Sequence, residues 1–250
     1  MSNLKNLTIR AFGQTDIGRV RATNDDSFLV NTEHRIYAVA DGLGGLPEGA
    51  VASQTAINVL SEIIGQLSDS DPIDFAEAFA MINQRVLEQG IEIDPNLGIG
   101  TTLTAVQLWN DVLKIAHIGD TAVLLFRGDA CQQLTLDHTM GQDMLNRLRP
   151  GETAFIPDHF HHTLTRCIGQ IPQVGSDIFE HPFAPGDRIL LASDGLTKTL
   201  ETSEIQHHLS ESDDPQALVE ELIQQANYCG GPDNITLIAV FVEPNEHELD

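Results

Sequence analysis

Cysteine is scarce in this sequence, and nothing about its placement suggests pairing. Cys131, Cys167 and Cys229 are odd in number, far apart and outside any C-x-x-C spacing. That argues against a disulfide framework or a zinc site and fits a reducing cytoplasm. Long apolar runs are missing as well. No stretch reaches the ~18 residues of a membrane span and no signal h-region opens the chain, so the expectation is a soluble protein with no membrane partner. Basic residues are few, 13 against 37 acidic ones, for a net charge of −24. Such a field repels nucleic acid and anionic membranes, which argues against a backbone-phosphate binder. It favours divalent cations, basic peptides or basic partner surfaces, although a solvated exterior is the commoner reason for an acidic excess.

What is present is enough for a sizeable core: 250 residues, 41% apolar and 20% charged. Residues 7–13 have strand character, and 27–30 and 35–40 read as a hairpin. Val51, Ala52, Thr55, Ala56, Val59, Leu60, Ile63, Ile64 and Leu67 recur at helical steps. Residues 68–72 break that helix. Asp74, with Glu77 three residues on, then caps a second one striped by Phe75, Phe79, Ile82 and Val86. Four strands with short turns follow at 101–109, 112–117, 122–127 and 130–134. Links that short exclude parallel crossovers and predict an antiparallel meander. Residues 140–163 are polar and aperiodic, as expected of a mobile segment or small subdomain lying over the sheet. A buried strand at 188–193, helices at 202–209 and 216–228, and a last buried strand at 235–242 complete an α+β chain. With no repeat and no linker, it reads as one domain over 7–243, with loose ends at 1–6 and 244–250.

Within this order, the apolar run from Ile36 to Ala40 stops at Asp41, followed by Gly42, Leu43, Gly44 and Gly45. A carboxylate at a strand mouth beside bare backbone suits a hard metal ion or a phosphate, or else satisfies turn N–H groups. The same placement recurs at Asp120, Asp194 and Asp233, each beside Gly or Asn. Strands of one core often end at a common edge, and carboxylates gathered there need cations to stay ionised together. Oxygen-only ligands select Mg²⁺, Mn²⁺ or Ca²⁺. Upstream, Arg21 is the natural partner of a phosphoryl group, with Asp25 and Asp26 near it in sequence.

The ordered set Arg21-x-x-x-Asp25-Asp26, Ala40-Asp41-Gly42-x-Gly44-Gly45, Gly100-Thr101-Thr102, Gly119-Asp120-Thr121, Ser193-Asp194-Gly195 and Asp233-Asn234 resembles the metal-dependent type 2C serine/threonine protein phosphatases, and more closely their bacterial-type catalytic domain. The resemblance implies a four-layer α-β-β-α sandwich, two antiparallel sheets flanked by helix pairs, with residues 140–163 as its flap. It implies two Mn²⁺ or Mg²⁺ ions and a looser third. Asp41 would bridge the first two, with the Gly42 carbonyl on the second and Asp194 and Asp233 completing the first. Asp120, sharing Asp194, would hold the third, and Asp25 and Asp26 would act through waters. Arg21 would bind the substrate phosphate, making Arg21, Asp41 and Asp194 the catalytic set. The implied activity is hydrolysis of phosphoserine and phosphothreonine in proteins by an activated water, without a covalent intermediate, in signalling opposed to a serine/threonine kinase. A monomer is expected.

Two positions depart from the pattern. Leu43 stands where some members carry a histidine proposed as general acid, so a bound water or another group must supply the leaving-group proton. Asp25 stands where many have glutamate. No cysteine is followed six positions on by arginine, consistent with the absence of a protein nucleophile. His159, His161 and His162 read as flap surface, with a soft-metal site as the alternative, and Arg166 as a structural anchor. Two rival functions share the fold: a non-catalytic phosphoprotein-binding module, and a small-molecule phosphoesterase.

Overall fold

The computed structural model describes residues 7–68, 71–149, 151–171 and 175–245. The expected loose start at 1–6, the end of the acidic tail at 246–250, and parts of the 68–72 break and of the flap lie outside them. Two five-stranded antiparallel sheets stack face to face. One holds β2 (Asp26–Asn31), β3 (Ile36–Asp41), β4 (Leu103–Trp109), β5 (Val112–Ile118) and β8 (Asp177–Pro182), in that spatial order. The other runs β1 (Leu7–Asp16), β10 (Ile235–Pro244), β9 (Arg188–Ala192), β6 (Ala122–Arg127) and β7 (Ala130–Gln133). The helices α1 (Gly49–Ile64) and α2 (Phe75–Ile93) cover the first sheet, and α5 (Thr202–Glu211) and α6 (Pro215–Tyr228) cover the second.

Alternation explains why the central strands are apolar throughout. In β3, Ile36, Ala38 and Ala40 pack against α1 and α2, while Tyr37 and Val39 point between the sheets. In β10, Ile235, Leu237, Ala239 and Phe241 meet α6, whereas Ile238, Val240 and Val242 join the inter-sheet core. Asp74 caps α2 by accepting from Ala76 and Glu77 N–H at 2.9 and 3.1 Å, the predicted helix start.

The structure departs from these expectations in four places. The four strands from β4 to β7 are two hairpins in different sheets, not one meander. The link at Gly119, Asp120 and Thr121 carries the chain across, with Gly119 at φ 113°. A short link excludes parallel pairing but leaves open which sheet the next strand joins. Strand β8 was unpredicted; it is an edge strand beside β5 in which Ile178, Glu180 and Pro182 face solvent. The flap contains a short helix, α3 (Met140–Asn146), which Thr139 caps through the Gln142 N–H, and a 3-10 turn at Asp158–His161. A further short helix, α4 (Asp194–Thr197), starts at the end of β9.

Candidate metal centre

The expected aspartates converge at one end of the sandwich. A cleft of about 880 Å³ is lined by Arg21, Asp25, Asp41, Asp120, Asp194 and Asp233. Asp26 is 8% exposed and lies behind this lining, paired in register with Asp41 across β2 and β3. From the end of the flap, His162 and Thr163, with Leu164 after them, close one side.

Backbone and hydroxyl hydrogen bonds hold Asp41 and its neighbours in place. At the end of β3, the Asp41 N–H donates to Thr102 Oγ1 at 2.9 Å, and its carbonyl accepts from Thr102 N–H at 2.8 Å and Thr101 Oγ1 at 2.9 Å. Gly42 donates to the Asp25 carbonyl at 3.1 Å, and any side chain at Gly42 would run into the Gly49 carbonyl. That close approach, more than turn formation, is what glycine is needed for here. Ser193 Oγ donates to Asp26 Oδ2 at 2.8 Å and accepts from Thr236 N–H at 3.0 Å, tying β9, β10 and β2 together beneath the cleft.

The Arg21 segment is fastened by Asn234. Its amide donates to the carbonyls of Ile17 and Thr23, both at 2.9 Å, and its Oδ1 accepts from Asp25 N–H at 2.8 Å. Arg21 Nη2 then donates to Asp233 Oδ2 at 2.8 Å, and a side chain at Gly44 would crowd the guanidinium. Sequence reasoning named Asn234 only as a neighbour of Asp233, yet it is the clamp that holds the arginine segment.

Five carboxylates line the cleft against two basic side chains, Arg21 and Lys198. Burial, then the like charges of Asp26, Asp194, Asp120 and Asp233, raise the Asp41 carboxyl well above its ordinary value. Burial pushes Asp26 up to about 7, and burial followed by the charge of Asp194 pushes Asp120 up to about 6. Asp26 Oδ1 and Asp194 Oδ1 are buried without a hydrogen-bond partner. Among the described residues no three acidic, histidine or cysteine side chains are already closed into a metal shell. Arg21 and Lys198 engage Asp233, Asp120 and Asp194 instead. The donor type, the uncompensated charge and the orphaned oxygens nevertheless fit hard divalent cations.

The flap base is tied to the same end. His138 Nδ1 accepts from Gly119 N–H at 3.1 Å, and its Nε2 lies 3.1 Å from Asp177 Oδ2. Arg166 donates to Asp177 Oδ1 at 2.8 Å, the anchoring role expected of it. Of the flap histidines, His162 reaches the cleft and His161 packs on Gly141; no soft-metal group forms among the described residues. All three cysteines are free, with Cys131 and Cys167 half-buried and Cys229 exposed.

A double antiparallel sandwich with helix pairs outside and an aspartate-lined cleft at the strand ends is the architecture of the PPM serine/threonine phosphatases. MsPP of Mycobacterium smegmatis, solved with cacodylate, superposes with a TM-score of 0.80 at 35% identity, over 93% of this chain and 97% of that one. The chain belongs to the protein phosphatase 2C family, whose model matches residues 16–233. It is 34% identical over 240 residues to the serine/threonine phosphatase Stp of Listeria innocua, covering 91% of this chain and 93% of the relative. The catalytic domain of the phosphatase PstP, solved with two manganese ions, matches with a TM-score of 0.82 at 32% identity, over 95% of this chain and 99% of that domain.

Proposed function

We propose that this protein hydrolyses phosphoserine and phosphothreonine in proteins, with two Mn²⁺ or Mg²⁺ ions held by Asp41, the Gly42 carbonyl, Asp194 and Asp233. The observation that carries the reading is Arg21 lining one cleft with Asp41, Asp194 and Asp233. Bound divalent ions supply hydroxide near neutral pH and screen phosphoryl charge. Arg21 binds the phosphate oxygens and offsets charge that develops on them, pre-oriented by Asp233 and the Asn234 clamp. Asp25 and Asp26 act through waters. Asp26, buried behind Asp41, also keeps that carboxylate in register. Leu43, in the cleft wall, carries no proton to donate, so the leaving oxygen takes its proton from water in the open cleft.

The finer reading is a catalytic domain over 7–243 that opposes a serine/threonine kinase in the cytoplasm, away from nucleic acid and membranes. The free thiols and the charge of −24 support it. Among the described residues no helix is long and apolar enough to cross a membrane. A monomer completes the proposal. The test is release of phosphate from a phosphothreonine peptide with Mn²⁺, with and without chelator. Turnover is expected only with metal, and Asp41→Ala and Asp194→Ala should abolish it. Metal-independent turnover, or either variant keeping its activity, would refute the proposal. Cleavage of nucleotides but not peptides would move it to small phosphoesters.

A further inference from the structure

Lys198 has a place in the cleft that the sequence did not reveal. It ends α4, four residues after Asp194, so its side chain returns over that aspartate. Its ammonium contacts Oδ2 of Asp194 and lies 3.1 Å from Oδ2 of Asp120. These two carboxylates come from separate parts of the fold, one at the start of α4 and one on the link from β5 to β6. A lysine is a cation at cellular pH by its ordinary value, and here it is held between two carboxylates.

The contacts divide Asp194 into two working halves. Oδ2 is taken by Lys198, while Oδ1 is buried and without a hydrogen-bond partner, left for the inner cleft. Lys198 and Asp120 also line a smaller hollow of about 190 Å³ on the flap side, with Asp137, Gln142 and His161. Lys198 therefore stands in the partition between the main cleft and the flap. A divalent ion seated on Asp120 and Asp194 would have to displace a tethered ammonium and then remain beside it, which like-charge repulsion opposes.

We propose that Lys198 is a built-in cation that closes the Asp120–Asp194 end of the cleft to metal, so that this chain takes up two divalent ions and no third. The inference rests on the metal-dependent reading above and concerns the number of ions bound, which can be measured without turnover. The experiment is Mn²⁺ titration of the full chain at pH 7.5, counting bound ions by calorimetry and by the electron paramagnetic resonance of free Mn²⁺. Two ions are expected for the wild type and for Lys198→Arg, and three for Lys198→Met. The additional ion should disappear again when Asp120→Asn is added to Lys198→Met. Three ions on the wild type, or only two on a folded Lys198→Met, would overturn the inference and leave the two-metal reading standing. A wild type that binds none would overturn both. Anomalous scattering from wild-type crystals soaked in Mn²⁺ gives a readout that needs no variant. Two peaks with none against Asp120 are expected, and a peak against Asp120 refutes the proposal.

Discussion

Single carboxyl groups govern how this molecule should respond to pH. A carboxyl whose pKa is higher folded than unfolded binds protons more readily in the folded state, so stability falls as pH rises between the two values. Asp26, pushed up to about 7, carries that slope to neutrality, and Asp41, raised well above its ordinary value, acts in the same direction. Buried His117, lowered to about 3 by burial and then by His138, acts the other way, but only below the ordinary histidine value of about 6.5. The melting temperature in chelator is therefore expected to fall from pH 6.5 to 8, and Mn²⁺ to restore more stability at pH 8. Calorimetry showing a flat or rising trend would contradict the raised values. Replacing Arg21 with lysine keeps the charge and loses the planar fork, worth ~10- to 100-fold in kcat/KM on a phosphopeptide. An unchanged kcat/KM would remove Arg21 from substrate binding. The aspartates were legible in the sequence because each ends or begins an apolar run beside Gly or Asn. Asn234 was not, because its partners lie 209–217 residues away, and the contact of Lys198 with Asp120, 78 residues away, was hidden for the same reason.

At the scale of elements, the site depends on α4 and β10 meeting without a side chain between them. A side chain at Gly195 would run into the Asn234 carbonyl, so Gly195→Ala must push apart the segments that carry Asp194 and Asp233. The expected cost is ~1–3 kcal/mol in denaturant unfolding, typical of overpacking. A weaker Mn²⁺ affinity should accompany it; full stability with unchanged affinity would show that the junction yields freely. Strands buried on both faces, such as β3 and β10, were readable as continuous apolar runs. β8 was not, because it is an edge strand whose outward positions include Glu180 and Pro182. The assignment of β4 to β7 between two sheets was hidden for another reason: only the φ of Gly119 and its packing on Thr102 record the crossing.

The charge of the whole molecule makes encounter with substrate depend on salt. At −24 the protein attracts basic phosphopeptides and repels acidic ones over roughly a Debye length, ~10 Å at 0.1 M salt. Raising ionic strength should lower kcat/KM for a basic phosphothreonine peptide and raise it for an acidic one. Equal salt dependence for both would mean that the field at the cleft is not the field of the surface. The pairing of β1 with β10, from Leu7 with Pro244 to Asp16 with Ile235, bears on how the protein is made. β10 lies between β1 and β9, so a chain halted on the ribosome before it has been translated leaves both neighbours with open edges and Asn234 without its strand. Arg21 is translated early but acquires its orientation only from Asp233 and Asn234. Translation of β10 is thus the event that assembles the cleft.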